Sequence, residues 1–189
     1  MRALRVPLVG TVIVALLGGL GGAVLAQEAE APPLDEPHRV TGQLRYDPYG
    51  SYSYGQASWN EERRVEERRG AWFADDPIEM DDPRLGGLNS ETWNWDTYGG
   101  TLKAGRGEVM ASRVKVVNDD GYWIGTMRGY VAYEPGRHLY MHYELTGKGA
   151  YEGHSALLYA TGPQGGPWDF EGFVFPGPVP EYPDAPVVE

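Results

Sequence analysis

The chain has 189 residues, and its 27 acidic against 16 basic side chains give a formal net charge of −11 at pH 7. Because so negative a surface repels phosphate backbones, we expect no nucleic-acid partner. Cysteine is absent, which excludes disulfides, thiolate metal sites, thiol nucleophiles and lipidated cysteines.

The N-terminus has the layout of a secretory signal. Arg2 and Arg5 precede an uncharged, largely apolar run from Val6 to Ala26 that ends in small residues. We predict a signal peptide over residues 1–26, cleaved after Ala26, and therefore a secreted protein. The alternative is an uncleaved N-terminal membrane anchor, since the run reaches the ~20 residues that span a bilayer. That leader would be the only membrane contact. Residues 27–38 are acidic and contain proline, which predicts a solvated linker.

Residues 39–178 alternate between apolar and polar side chains, with turn residues about every ten positions. This pattern is typical of an antiparallel sheet, sandwich or barrel, and the length suits one domain. In its first half, strands are predicted at Ser51–Trp59, Gly87–Asp96 and Glu108–Asn118. The second of these places Trp93 and Trp95 on one face.

Two charged segments in this half each have two interpretations. Glu61–Arg69 fits either a short exposed helix with glutamate–arginine pairs or a charged edge strand. Asp75–Asp82 contains several carboxylates, and one interpretation of this segment is a calcium site. Because Pro77 and Pro83 punctuate this segment, we favour a solvated acidic turn.

The clearest strand is Tyr122–Tyr133, which follows a predicted hairpin turn at residues 118–121. The turn lacks the ligand spacing of a calcium loop. The predicted apolar face of the strand consists of Trp123, Gly125, Met127, Gly129, Val131 and Tyr133.

A second strand, His138–Lys148, presents two different faces. Leu139, Met141, Tyr143 and Leu145 form an apolar face, whereas His138, Tyr140, His142 and Glu144 form a titratable one. On a strand, His138 and His142 are ~13 Å apart, so they cannot share an ion and we predict no metal site. If the titratable face lined a closed barrel, then His138, His142 and Glu144 would be acid–base candidates. We expect instead that the apolar face points inward.

The remainder of the chain is predicted to turn, pair once more and end in a tail. The glycines of Leu145–Gly153 do not have the spacing of a nucleotide loop, and they predict a bend between strands. Trp168–Phe175 is the last predicted strand. Residues 179–189 are rich in proline and acidic, which predicts a disordered tail.

The landmarks of the second half resemble a known fold family. Gly121-Tyr122-Trp123-Ile124-Gly125, Gly129-Tyr130 and the run from Tyr143 to Gly153 are similar to the allene oxide cyclase barrel-like and dirigent-like proteins. The segments Met80–Gly87 and Phe173–Gly177 also resemble uncharacterised secreted bacterial proteins. The resemblance implies an all-β domain over residues 39–178, a small antiparallel β-barrel of about eight strands, packed inside or holding one small apolar ligand. It implies no activity, because the polar active-site residues of the cyclase have no counterpart here.

The 6 tryptophans and 13 tyrosines suggest three functions. Inward aromatic residues would line a cavity for a small apolar ligand, whereas outward ones would form a platform for sugars or a protein partner. An isomerase or cyclase would need a buried polar group. We predict non-catalytic binding of a small apolar or aromatic ligand or of an envelope glycan, with no cofactor; the sequence makes no prediction of oligomeric state. The candidate lining residues are Trp123, Met127, Tyr133, Met141 and Tyr143.

Overall fold

A computed structural model describes residues 33–45, 51–99, 107–133 and 136–183, and it shows an all-β protein. A short 3-10 helix, Pro83–Leu85, joins the fourth and fifth strands. The strands are β1 His38–Leu44, β2 Ser51–Ser53, β3 Gln56–Asn60, β4 Val65–Met80, β5 Gly87–Tyr98, β6 Gly107–Val117, β7 Gly121–Ala132, β8 His138–Gly149, β9 His154–Pro163 and β10 Trp168–Pro176.

Eight of these strands form a closed, barrel-like ring. Each of β4 to β9 pairs with the next strand along the chain, β10 pairs with β1, and β1 pairs with β4, all antiparallel. Strands β2 and β3 pair with the rest of β4 and lie outside the ring. The prediction of a small antiparallel barrel of about eight strands is confirmed.

The interior of the ring is the hydrophobic core. On β8 the predicted apolar face is inside, because Leu139, Met141, Tyr143 and Leu145 are all buried. On β6 and β7, alternate side chains are likewise buried because they point into the ring. Glycine allows close approach between strands: a Cβ on Gly125 would lie 1.8 Å from the carbonyl oxygen of Glu144.

Both charged segments of the first half differ from the sequence interpretation. Residues 61–64 form the turn between β3 and β4, and β4 then continues from Val65, so neither a helix nor an edge strand covers the whole of Glu61–Arg69. The solvated acidic turn predicted at Asp75–Asp82 is also wrong. Its first six residues belong to β4 and Asp76 is buried, because β-bulges shift the register of β4 and turn this carboxylate inward.

The 3-10 helix covers one end of the ring, which we call the closed end. Asp82 caps this helix by accepting a hydrogen bond from the Arg84 backbone nitrogen. The Trp123 indole on β7 reaches across the ring and donates to the Arg84 carbonyl oxygen at 2.7 Å. Tyr151 stacks on the Trp123 ring, with centroids 5.3 Å apart. The closed end is therefore filled by packed aromatic rings and backbone hydrogen bonds.

The ordered domain is slightly longer than predicted. Strand β1 begins at His38, the last residue of the predicted linker, and Leu34 packs against the core. In the predicted tail, the Tyr182 hydroxyl lies 3.3 Å from His142 Nδ1. The predicted signal peptide, most of the linker and the end of the tail lie outside the described residues. Within the described ranges, no helix is long and apolar enough to cross a membrane.

Candidate functional site

A pocket of about 660 Å³ opens at the end of the ring opposite the 3-10 helix. Its walls are side chains of β4, β5, β6, β7, β8 and β10, most of them near the strand ends that lie opposite the 3-10 helix. A volume of this size is within the range of small-molecule sites. The apolar part of its wall consists of Phe73, Trp93, Trp95, Met110, Val131, Leu139 and Trp168.

Aromatic rings dominate one side of this pocket. The Trp93 ring makes an edge contact with Phe73, with centroids 5.7 Å apart, and lies 6.4 Å from Trp168. Trp168 is held in place because its indole donates to the Pro163 carbonyl oxygen at 2.9 Å. These packed rings form a preorganised apolar wall.

The rim of the pocket carries charges that neutralise one another. Glu108 is buried and accepts hydrogen bonds from the Tyr133 hydroxyl and from Arg137, whose Nη2 lies 3.4 Å from its Oε1. Arg68 lies over the Trp95 ring and pairs with Glu66 at 3.3 Å. Each arginine at the rim thus has a glutamate partner.

A buried polar cluster lies next to the pocket, around Glu91, which is two residues before Trp93 on β5. Glu91 is 3% exposed, and its carboxyl oxygens accept hydrogen bonds from Asn89 at 2.8 Å, Ser112 at 3.1 Å and Tyr143 at 3.2 Å. Burial raises the pKa of Glu91 to about 7; the three hydrogen bonds oppose this rise and the nearby Asp76 adds to it. Burial, followed by the charge of Glu91, also raises the pKa of Tyr143. Glu91 therefore changes protonation close to neutral pH.

The predicted lining residues are inside the ring, but the structure does not place them on the pocket wall. Trp123, Met127, Met141 and Tyr143 are buried core residues. Trp123 lies at the closed end, and Met127, Met141 and Tyr143 lie between it and the pocket, whereas Tyr133 stands at the rim beside Glu108. The structure thus brings one of the five predicted residues to the edge of the pocket.

The predicted acid–base face lies on the outer surface. His138 Nε2 is 2.8 Å from the Thr161 hydroxyl, and His142 Nδ1 is 3.9 Å from a Glu144 carboxyl oxygen. His142 and Glu144 are both more than a third exposed, so this face meets solvent and does not line the interior. In the described part of the chain, no three His, Asp or Glu side chains are arranged to hold a metal ion.

The wall residues on β5 and the adjacent Glu91 were missed as site residues in the sequence. Their signal was the period of two in β5, which places Glu91 on the same face as Trp93 and Trp95. A carboxylate that shares a face with two tryptophans indicates an inward polar group. Phe73 could not be found in this way, because the bulges of β4 interrupt its alternation.

Comparison with known proteins gives no relative of this chain: no family model, no curated protein and no solved structure matches it.

Proposed function

We propose that this protein binds a small, uncharged, apolar or aromatic molecule in the pocket opposite the closed end, without catalysing a reaction. The observation that carries the proposal is the pocket of about 660 Å³ with its wall of tryptophan and phenylalanine rings. Apolar walls with a few polar groups at the mouth are typical of ligand-binding sites. The barrel-like ring is also what the resemblance to the allene oxide cyclase barrel-like and dirigent-like proteins implies, and we keep that relationship as a proposal.

The charges at the rim favour an uncharged ligand. An anion would have to compete with Glu108 for Arg137 and with Glu66 for Arg68, and breaking either pair would leave a carboxylate without its partner. A cation would have to compete with Arg137 for Glu108 and with Arg68 for Glu66. An uncharged molecule leaves both pairs intact and gains the contact with the aromatic wall.

Two fluorescent probes of one scaffold test this proposal: neutral N-phenyl-1-naphthylamine and its anionic counterpart 1-anilinonaphthalene-8-sulfonate. We expect the neutral probe to bind more tightly. Trp168→Ala should weaken its binding about tenfold, because the variant removes one wall of the pocket. Trp168→Phe keeps a ring and should lose less.

Trp59→Ala is the matched control, since Trp59 lies on β3 outside the ring and is 49% exposed. This variant should bind the neutral probe like the parent protein. Equal affinity of the parent and a folded Trp168→Ala variant would dispose of the pocket as the binding site. Tighter binding of the anionic probe would contradict the argument from the rim charges.

Secretion is part of the proposal. The basic start, the uncharged run and the small residues before Ala26 support a cleaved signal peptide. N-terminal sequencing of protein recovered from the outside of the producing cells should begin at Gln27. A start at Met1 would instead support the membrane anchor.

A second candidate function is an isomerase or cyclase acting on an apolar substrate, and Glu91 is the observation that favours it. A carboxyl group with a pKa of about 7 can both accept and donate a proton near neutral pH. Glu91 is adjacent to Trp93 along β5 but does not itself line the pocket, so binding without chemistry is better supported. Incubation of bound ligands in D₂O would distinguish the two functions. Incorporation of deuterium into the ligand in the presence of the parent protein, but not in the presence of Glu91→Gln, would establish the enzyme.

A further inference from the structure

The outer surface of the ring carries a second concave feature, remote from the pocket in the interior. A shallow groove of about 300 Å³ runs over β1, β8, β9 and β10. Two aromatic side chains border it: Tyr159 is 40% exposed and Phe173 is 52% exposed. We call this feature the outer groove; its side chains are Arg39, His142, Leu157, Tyr159, Glu171 and Phe173.

The polar edge of the outer groove is an ion pair with no net charge. Arg39 Nη2 donates to Glu171 Oε2 at 2.9 Å, and both side chains are more than half exposed. A guanidinium group offers several donors, whereas a carboxylate offers only acceptors. The pair therefore presents both hydrogen-bonding roles side by side. A hydroxyl group, which donates and accepts at once, matches this edge better than an anion or a cation does.

Further aromatic rings continue this surface onto the neighbouring strands. Tyr130 on β7 lies opposite Tyr140 on β8, and their rings stack with centroids 4.9 Å apart. Together with Tyr159 on β9 and Phe173 on β10, they place aromatic side chains on four consecutive strands. At the usual strand spacing this row is at least ~14 Å long. Such a length suits a short linear chain rather than a single small molecule.

We propose that the outer groove and its aromatic row bind a neutral glycan chain. Sugar rings present apolar C–H faces that pack on aromatic rings, and their hydroxyl groups both donate and accept. The groove supplies the rings through Tyr159 and Phe173, and the donors and acceptors through Arg39 and Glu171. An acidic glycan is disfavoured by the formal charge of −11 and by the carboxylate at the groove.

The size of the surface argues against a protein partner. Tyr130, Tyr159 and Phe173 are 50%, 40% and 52% exposed and together offer about 300 Å² of contact area, whereas a stable protein interface needs roughly 800 Å² from each partner. A glycan chain needs less area, because each sugar unit engages one ring and one polar group. The proposal concerns the outer face and does not depend on the function of the interior pocket.

The test is affinity electrophoresis of the full chain in native gels that contain a soluble neutral polysaccharide, either hydroxyethylcellulose, glucomannan or dextrin. Calorimetry with cellohexaose and maltohexaose then measures the affinity. We expect retardation in at least one of these gels. Tyr159→Ala and Phe173→Ala should each weaken binding about fivefold to tenfold, since each removes one stacking ring.

Two further variants separate a lost ring from a lost fold. Phe173→Tyr retains an aromatic ring and should keep most of the affinity. Tyr122→Ala removes a tyrosine that is 37% exposed at the start of β7, away from the aromatic row. This variant should bind the polysaccharide like the parent protein. Absence of retardation in all three gels would overturn the proposal. So would retardation only by an anionic polysaccharide such as alginate, or an unchanged affinity of both alanine variants.

Discussion

Replacing Glu91 by glutamine should remove a pH dependence from the stability of this protein. Glu91 is buried among Asn89, Ser112 and Tyr143, with the buried Asp76 as the nearby charged group. Its pKa is about 7 in the folded chain against the usual 4.5. Burial therefore makes the protonated, uncharged form the favoured one inside the ring.

The sign and the size of the effect follow from this difference in pKa. Between pH 4.5 and 7 the unfolded chain has released the Glu91 proton, while the folded chain still holds it. Stability therefore falls as the pH rises through this interval, and it is constant above it. At about 1.4 kcal/mol for each pH unit, the full loss is about 3 kcal/mol.

Urea unfolding at pH 5, 6, 7 and 8 measures this loss. The free energy of unfolding of Glu91→Gln minus that of the parent should increase by about 2.5 kcal/mol from pH 5 to pH 8, because pH 5 already lies half a unit above the pKa of the unfolded chain. The comparison cancels the titration of the other groups. Glu79→Gln, at an exposed position of β4, is the control and should follow the parent curve. Parallel curves for the parent and Glu91→Gln would refute a raised pKa at this carboxyl.

Two further predictions concern the packing of the ring. Trp123→Ala should lower the free energy of unfolding by about 3–5 kcal/mol, because Trp123 is fully buried at the closed end. The neutral naphthylamine probe should still bind to the folded fraction with parental affinity. A loss of binding free energy as large as the loss of stability would place the ligand at the closed end instead. Gly125→Ala should destabilise the protein by more than about 2 kcal/mol, because the added Cβ would lie 1.8 Å from the backbone oxygen of Glu144. Gly136→Ala, where a Cβ meets nothing within 4 Å, is its control in thermal melts, and similar melting temperatures for the two variants would contradict the close approach.

Strands β7 and β8 were predictable because their apolar and polar side chains alternate over more than ten residues, and β6 was predictable because it is rich in valine. The prediction Tyr122–Tyr133 differs from β7 by one residue at each end. β4 was not predictable in the same way. Its two register shifts break the period of two, and a pattern read from neighbouring residues cannot follow a strand whose side chains change face.

The candidate site was less accessible to sequence reasoning than the strands. Alternation assigned Met127 and Tyr143 to the inside of the ring, and both are buried. It could not give their depth along the ring, because depth depends on the stagger between strands that are far apart in sequence. The pocket itself depends on where each strand ends relative to its neighbours, and only the assembled ring determines that.

The closure of the ring has a consequence for its breathing. Strand β1 meets β4 through only three residue pairs, Gly42–Leu44 against Ile78–Met80, whereas β5 and β6 are joined along eleven. Backbone amides at this short seam should exchange with solvent sooner than those of β6, since less must break to expose them. An opened seam would present two unpaired strand edges, which is also where another chain could add a strand. We therefore expect the ring to open first at the seam between β1 and β4.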